Sequence, residues 1–200
     1  MFAPPPHGSF TPHYRVVPAG SALLRISRHS SFRHFEPLDF RFDHHVMGGS
    51  PEERGIFYGV PSLECCIAEV YDDLGAVYLD SSLIIPEVRR PLRLLDLRGA
   101  CAGGAGLPDD IATYQRRPET QEWSRFIYAQ ADLYDAVDGL LYTGRHAGLD
   151  AYALYERCEP AIYSPGVKPY AYPLSDHHVR EHVLEIANQR GLAVFNDPRS

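Results

Sequence analysis

Arg41 in the run RFD, Tyr58 in GIFYGV, Glu69 in ECCIAEVY and the run Tyr142-Thr143-Gly144-Arg145-His146 form a dispersed set of side chains able to bind and polarise a ligand. A guanidinium grips phosphate bidentately. A carboxylate steadies a growing positive charge. A tyrosine ring offers a flat wall. Spacing alone does not lift these residues above the background. By periodicity Glu69 sits off the apolar stripe of its helix, with Cys65 and Asp72, where a solvated carboxylate is the ordinary reading. Tyr58 on a short apolar strand reads as core, and Arg41 as a surface arginine.

Other chemistries fit less well. His177, His178 and His182 crowd the start of one helix, and His178 and His182 stand at i, i+4. No Glu follows the first His as in H-E-x-x-H, so a solvated helix face is preferred and no metal is expected. The glycine cluster at 103–106 is followed by Pro108-Asp109-Asp110, whose charge opposes phosphate, and lacks the G-x-G-x-x-G spacing. It reads as a turn. There is no G-x-S-x-G, which leaves a hydrolase elbow unsupported.

These side chains must be positioned by one domain of ordinary make-up. The 200 residues are 44% hydrophobic and 22% charged, with a net charge of −7. That balance supports a core but argues against a nucleic-acid surface. Lysine is nearly absent, so the cations are arginines. Of the four cysteines, Cys65 and Cys66 are adjacent and none forms a C-x-x-C pair, which suits a reducing compartment. Neither a signal peptide nor a membrane span is recognisable, so the expected location is the cytoplasm.

Residues 1–20, rich in Pro, Gly and His, read as a flexible N-terminal arm, and 21–200 as the folded domain. Strands are expected at 21–27, 56–60, 77–80, 82–86 and 92–97, then at 139–144 and 151–156, with a further apolar run at 161–164. A helix over 63–74 follows the stripe Leu63, Cys66, Ile67, Val70, Tyr71, Leu74, with Ser62 as N-cap and Gly75 as stop. A second covers about 119–131, with Trp123 and Ile127 on one face. A third starts at the N-cap Asp176, buries Val179, Val183, Ile186 and Ala187, and stops at Gly191. Without regular βα alternation the fold class is α+β, a single domain with a mixed, largely antiparallel sheet flanked by helices.

The ordered set of short motifs resembles one family. LLRIS, then RFD, then G-x-x-Y ending at Tyr58, then Ala68-Glu69-Val70, resembles the start of a RES domain. TQEWSRFIY at 120–128, DGLLYTGRH at 138–146 and ALYER at 153–157 are similar to its second half. The resemblance covers about residues 21–165. It implies a fold like that of ADP-ribosyltransferase toxins, and a bacterial toxin of a toxin–antitoxin pair. It also implies NAD⁺ as substrate, cleaved at the nicotinamide–ribose bond by phosphorolysis or hydrolysis. No cofactor is implied, although inorganic phosphate is a candidate co-substrate. The implied partner is an antitoxin with a helix-turn-helix, and a homodimer is compatible with the sequence. Two alternatives stay open: a non-catalytic RES-like partner-binding protein, and an ADP-ribosyltransferase acting on a macromolecule.

The family is named for an Arg, a Glu and a Ser. Arg41 and Glu69 match the first two, while Gly144 stands in place of the Ser in Y-x-S-R-H. The resemblance makes Glu69, Arg41 and Tyr58 the catalytic set. Arg25, Tyr142, Thr143, Gly144, Arg145 and His146 become substrate-binding, with Arg25 or Arg145 as second diphosphate clamp, Arg145 and His146 as holders of an acceptor anion, and Thr143 as stand-in for the missing hydroxyl. One lost hydrogen bond to a charged group is worth about 1.5–3 kcal/mol, or roughly one to two orders of magnitude in rate. Gly144→Ser is accordingly expected to raise NAD⁺ consumption.

Overall fold

The computed structural model describes residues 10–27, 40–44, 55–111, 117–163 and 170–196. The polar stretch 28–39, most of HHVMGGSPEER at 44–54, and the end of the 161–164 run lie outside the described residues. Two central strands set the architecture, β6 (Leu92–Asp96) and β7 (Gly139–Thr143), which pair in parallel. Their apolar runs are nearly continuous because both faces are covered. Leu94 and Leu141 belong to one core cluster and Leu95 and Leu140 to another, on alternate faces as a pleated strand requires.

Antiparallel neighbours complete this sheet. β1 (Tyr14–Val17) pairs with β6, β8 (Asp150–Tyr155) with β7, and β3 (Ile56–Gly59) with β8, giving the order β1-β6-β7-β8-β3. A second, antiparallel sheet has the order β2-β5-β9, from Arg25–Ser27, Ser82–Ile85 and Tyr170–Pro173. The Leu24–Val60 bridge brings the start of β2 to the end of β3. A short parallel pair joins β4 (Ala76–Tyr78) to β10 (Ala193–Phe195). The α+β class and the mixed, largely antiparallel pairing are therefore observed.

The caps read from sequence are present. α1 (Leu63–Tyr71) starts at Ser62, whose hydroxyl accepts from the Cys65 N–H, and continues as a 3-10 turn to Gly75 at φ +65°. α5 (His177–Gln189) starts at Asp176, whose carboxylate accepts from the His178 N–H, and Gly191 follows it at φ +69°. α3 spans Arg117–Ala129.

Several details differ from the sequence reading. β1 lies inside the expected arm and is a strand because β6 offers it a ladder, not because of its own pattern, since Val16 is exposed. The glycine cluster closes a short helix, α2 (Ala100–Gly104), before turning. The run at 161–164 enters α4 (Glu159–Ile162). On α1 the expected stripe is rotated: Cys65 and Ala68 are buried while Val70 and Leu74 are exposed. β2, β4 and α5 all meet α1, so its buried arc is set by three neighbours rather than one.

Candidate functional site

One cleft of about 470 Å³ opens where β2, β3, α1 and the β7–β8 turn meet. Arg25, Arg41, Tyr58, Glu69, Tyr142, Arg145 and His146 all line it. Thr143 does not: it follows Tyr142 on β7, and successive strand residues face opposite sides. It therefore cannot stand in for a hydroxyl in the cleft. Gly144 lies just behind the lining, against Glu69.

Arg25, on β2, is the most unusual group. Its residue is only 8% exposed, and its Nη1 is buried without a hydrogen-bond partner among the described residues. The guanidinium carbon sits 5.5 Å from the centre of the Phe57 ring. Burial holds its pKa below the usual arginine value, the neighbouring tyrosines and Asp43 only partly offsetting this. A buried cation with a free donor is costly, and an anion in the cleft would relieve that cost.

Arg41 is carried by a short segment pinned from three sides. From α3, Thr120 donates its hydroxyl to the Arg41 carbonyl, and Gln121 Nε2 donates to the Phe40 carbonyl at 2.9 Å. From β3, the Tyr58 hydroxyl accepts from the Phe42 N–H at 2.9 Å and donates to Asp43 at 3.0 Å. Beyond β8, Glu156 Oε2 lies 2.8 Å from Nε2 of the buried His44, while its other oxygen takes the Tyr128 hydroxyl. Burial pushes Glu156 towards the neutral form, but His44 and Tyr128 outweigh it and hold the carboxyl below its usual range. Burial and the Asp43 charge push the Tyr58 phenol well above its usual value, so it remains a neutral donor.

This explains α3. Its buried residues are Thr120, Gln121, Ser124 and Ile127, mostly polar, whereas Trp123 is only half-buried. Ser124 lies 3.3 Å from the Tyr155 hydroxyl. Apolar periodicity is blind to a helix whose inner face works by hydrogen bonding. The signal was present only in the TQEW and ALYER motifs, for which the sequence offered no role.

Glu69 projects from α1 into the β7–β8 turn. Its Oε1 accepts the His146 N–H at 2.8 Å and the Ala147 N–H at 3.2 Å. Tyr142 lines the same cleft, with its ring 5.0 Å from Phe42, and burial followed by the Glu69 charge pushes its phenol up while Arg41 opposes this. Asp73, one helical turn beyond Glu69, also lines the cleft, whereas Asp72 turns away to a bidentate pair with Arg190 of α5's C-terminus. Asp73 lies 3.3 Å from His146 Nε2 and 3.8 Å from Arg145 Nη1, so the expected anion-holding pair already faces a carboxylate. Asp73, Phe40 and Arg117 were not anticipated in the cleft; the i, i+4 spacing from Glu69 was the available signal for Asp73.

Asp176, His177 and His178 bring ligand atoms within 4.8 Å of one another, but the Asp176 carboxylate caps α5 and both imidazoles are exposed. Among the described residues no helix is long and apolar enough to cross a membrane.

Comparison with known proteins agrees with this architecture. No curated protein matches the sequence. A chain of the M. tuberculosis MbcT–MbcA toxin–antitoxin complex has the same fold, with a TM-score of 0.52 at 15% identity over 83% of this chain and 90% of that one. The model of the RES domain matches residues 14–175, from the first strand to the loop before α5. The chain belongs to the RES domain family.

Proposed function

We propose that this protein cleaves NAD⁺ at the nicotinamide–ribose bond, by phosphorolysis or hydrolysis, as the toxin of a toxin–antitoxin pair. The observation that carries the reading is the buried Arg25 guanidinium, whose Nη1 has no hydrogen-bond partner among the described residues, in the same cleft as Arg41 and the Glu69 carboxylate. Two guanidiniums suit a diphosphate, and one carboxylate suits the ribose beside it. The likeness to a chain of a toxin–antitoxin complex supports a protein partner, which the family resemblance makes a helix-turn-helix antitoxin.

The chemistry makes modest demands on the protein. The bond from ribose C1′ to the pyridinium nitrogen breaks with its electron pair going to that nitrogen, so nicotinamide leaves neutral and needs no general acid. Positive charge grows on the ribose as in glycoside cleavage. Glu69 accepts a hydrogen bond from a ribose hydroxyl and offsets that charge. Arg25 and Arg41 hold the diphosphate. Tyr58, its hydroxyl engaged by Phe42 and Asp43, presents a fixed ring to the nicotinamide. A phosphate oxygen or a water then bonds to C1′, and a water gives up its proton to solvent.

The test is to mix purified protein with NAD⁺ and follow free nicotinamide, with and without inorganic phosphate. Release that Glu69→Ala abolishes supports the proposal. No release under either condition leaves the chain as a RES-like binding protein. ADP-ribose attached to a protein or nucleic acid, rather than free or phosphorylated, makes it a transferase.

A further inference from the structure

The geometry points to Gly144 as the positioning residue for Glu69: the absence of a side chain at 144 is what lets the carboxylate seat on the backbone amides of the β7–β8 turn. The importance of that seat for turnover rests on the function proposed above; the seat itself does not.

The turn is closed by its own backbone. The Gly144 N–H donates to the Leu149 carbonyl at 2.8 Å, and the Gly148 N–H donates back to the Gly144 carbonyl at 3.2 Å. This leaves the His146 and Ala147 N–H groups aimed inward, and both end on Glu69 Oε1. Among the described residues Oε2 makes no hydrogen bond, so it is the oxygen left for a ligand. A Cβ added at Gly144 would lie 2.5 Å from Oε1 and 2.9 Å from the carboxyl carbon, with the Leu149 carbonyl at 3.3 Å. The backbone at 144 lies outside the left-handed region, so the glycine is not required by φ. What a side chain would meet first is the carboxylate.

The departure from the Y-x-S-R-H pattern therefore carries its own compensation. In place of a serine hydroxyl this chain has room for Glu69 to take two amide hydrogen bonds on one oxygen. Those bonds fix the direction of the carboxylate. Serine has the same Cβ as alanine. Gly144→Ser therefore requires the Glu69 carboxylate, the far end of a flexible side chain, to shift off the two amides before the new hydroxyl can help, and the gain expected from the motif alone becomes a loss.

The experiment compares the native chain, Gly144→Ala, Glu69→Asp and the double variant. Readouts are the amide ¹H–¹⁵N shifts of His146 and Ala147, kcat and KM for NAD⁺, and Tm. Gly144→Ala is expected to move both amide signals upfield and to lower kcat at least tenfold, with KM changed less than threefold. The shorter Asp carboxylate withdraws from the added methyl, so the double variant recovers activity or Tm relative to Gly144→Ala. Unmoved amide signals, or kcat within twofold of native, overturn the assignment. Should Gly144→Ala fail to fold, rescue by Glu69→Asp supports it. Failure of that rescue shows that the glycine accommodates the Leu149 carbonyl instead, and overturns it. If the amides shift as expected but the native chain releases no nicotinamide, the positioning stands and the proposed function falls.

Discussion

At the residue scale, Glu69 and Arg25 make opposite demands on the protein. Glu69 is seated by amides, and in the proposed reaction it acts as charge develops on the ribose. Glu69→Ala is expected to lower nicotinamide release by about 100-fold or more, the size of a lost preorganised electrostatic contact. Retention of a tenth of native activity would remove it from the catalytic set. Arg25 is the reverse case, buried with an Nη1 that has no hydrogen-bond partner among the described residues, and therefore a burden to the empty protein. Arg25→Met is expected to raise Tm by roughly 2–4 °C, corresponding to about 1 kcal/mol, and to show no Tm increase with NAD⁺, where the proposed function expects one in the native chain. A lower Tm in the variant would mean that the guanidinium is already satisfied. The cysteines separate in the same way. Burial pushes the Cys65 and Cys66 thiols up to about 12, and Cys158 higher still, while Cys101 is half-exposed. Iodoacetamide at pH 8 should label Cys101 first in the native protein and the other three only after unfolding.

At the element scale, the placement of Arg41 in the cleft depends on the elements that hold its segment. Residues 40–44 are held by α3, β3 and the turn after β8, and the hydrogen bonds go mainly to backbone atoms. Thr120→Val removes the hydroxyl that holds the Arg41 carbonyl. It should cost about 1 kcal/mol of stability. In the proposed function Arg41 binds the diphosphate through its own side chain, so the variant should raise KM for NAD⁺ several-fold with less effect on kcat. An unchanged KM would show that Arg41 is placed without α3. The motifs TQEW and ALYER were legible as pieces of a family pattern but not as struts. Hydrogen bonds between Thr120 and a carbonyl 79 positions earlier leave no trace in local periodicity. The same reasoning covers α1, whose apolar stripe was legible but whose buried arc was widened by β2, β4 and α5 together.

At the scale of the whole molecule, carboxylates tie distant segments together. Asp72 is lowered in pKa by its hydrogen bonds to Arg190, linking the end of α1 to α5. In Asp96, burial opposes ionisation, but the Arg98 bonds prevail and lower it; Arg98 also reaches Asp150 at the start of β8. Glu156 is lowered by His44 and Tyr128 despite burial. A carboxyl whose folded pKa is depressed adds stability that is complete above its unfolded value and lost as pH falls through the folded one. Tm should therefore be nearly flat from neutral to about pH 5 and fall steeply below about pH 4. Asp96→Asn should start from a lower Tm at pH 7 and show a shallower acid limb. An unchanged acid limb would rule out Asp96 as a contributor.

The sequence by itself determined what local interactions determine. The helix starts at Ser62 and Asp176 and the stops at Gly75 and Gly191 follow from bonds spanning a few residues, and so were legible. The alternation and length of the apolar runs located β3 and β5 to β8, and the ordered motifs identified the family. Only the tertiary structure decided which of those elements meet. The order β1-β6-β7-β8-β3 pairs strands far apart in the chain, and a strand's own residues do not encode its partner. β1, β9 and β10 were missed for that reason, being short segments made into strands by a ladder offered from elsewhere. The burial of Arg25, the commitment of the Tyr58 hydroxyl and the fit between Gly144 and Glu69 are likewise properties of juxtaposition. A carboxylate 2.5 Å from where a Cβ would stand is a fact about two residues 75 positions apart, and no pattern along the chain contains it.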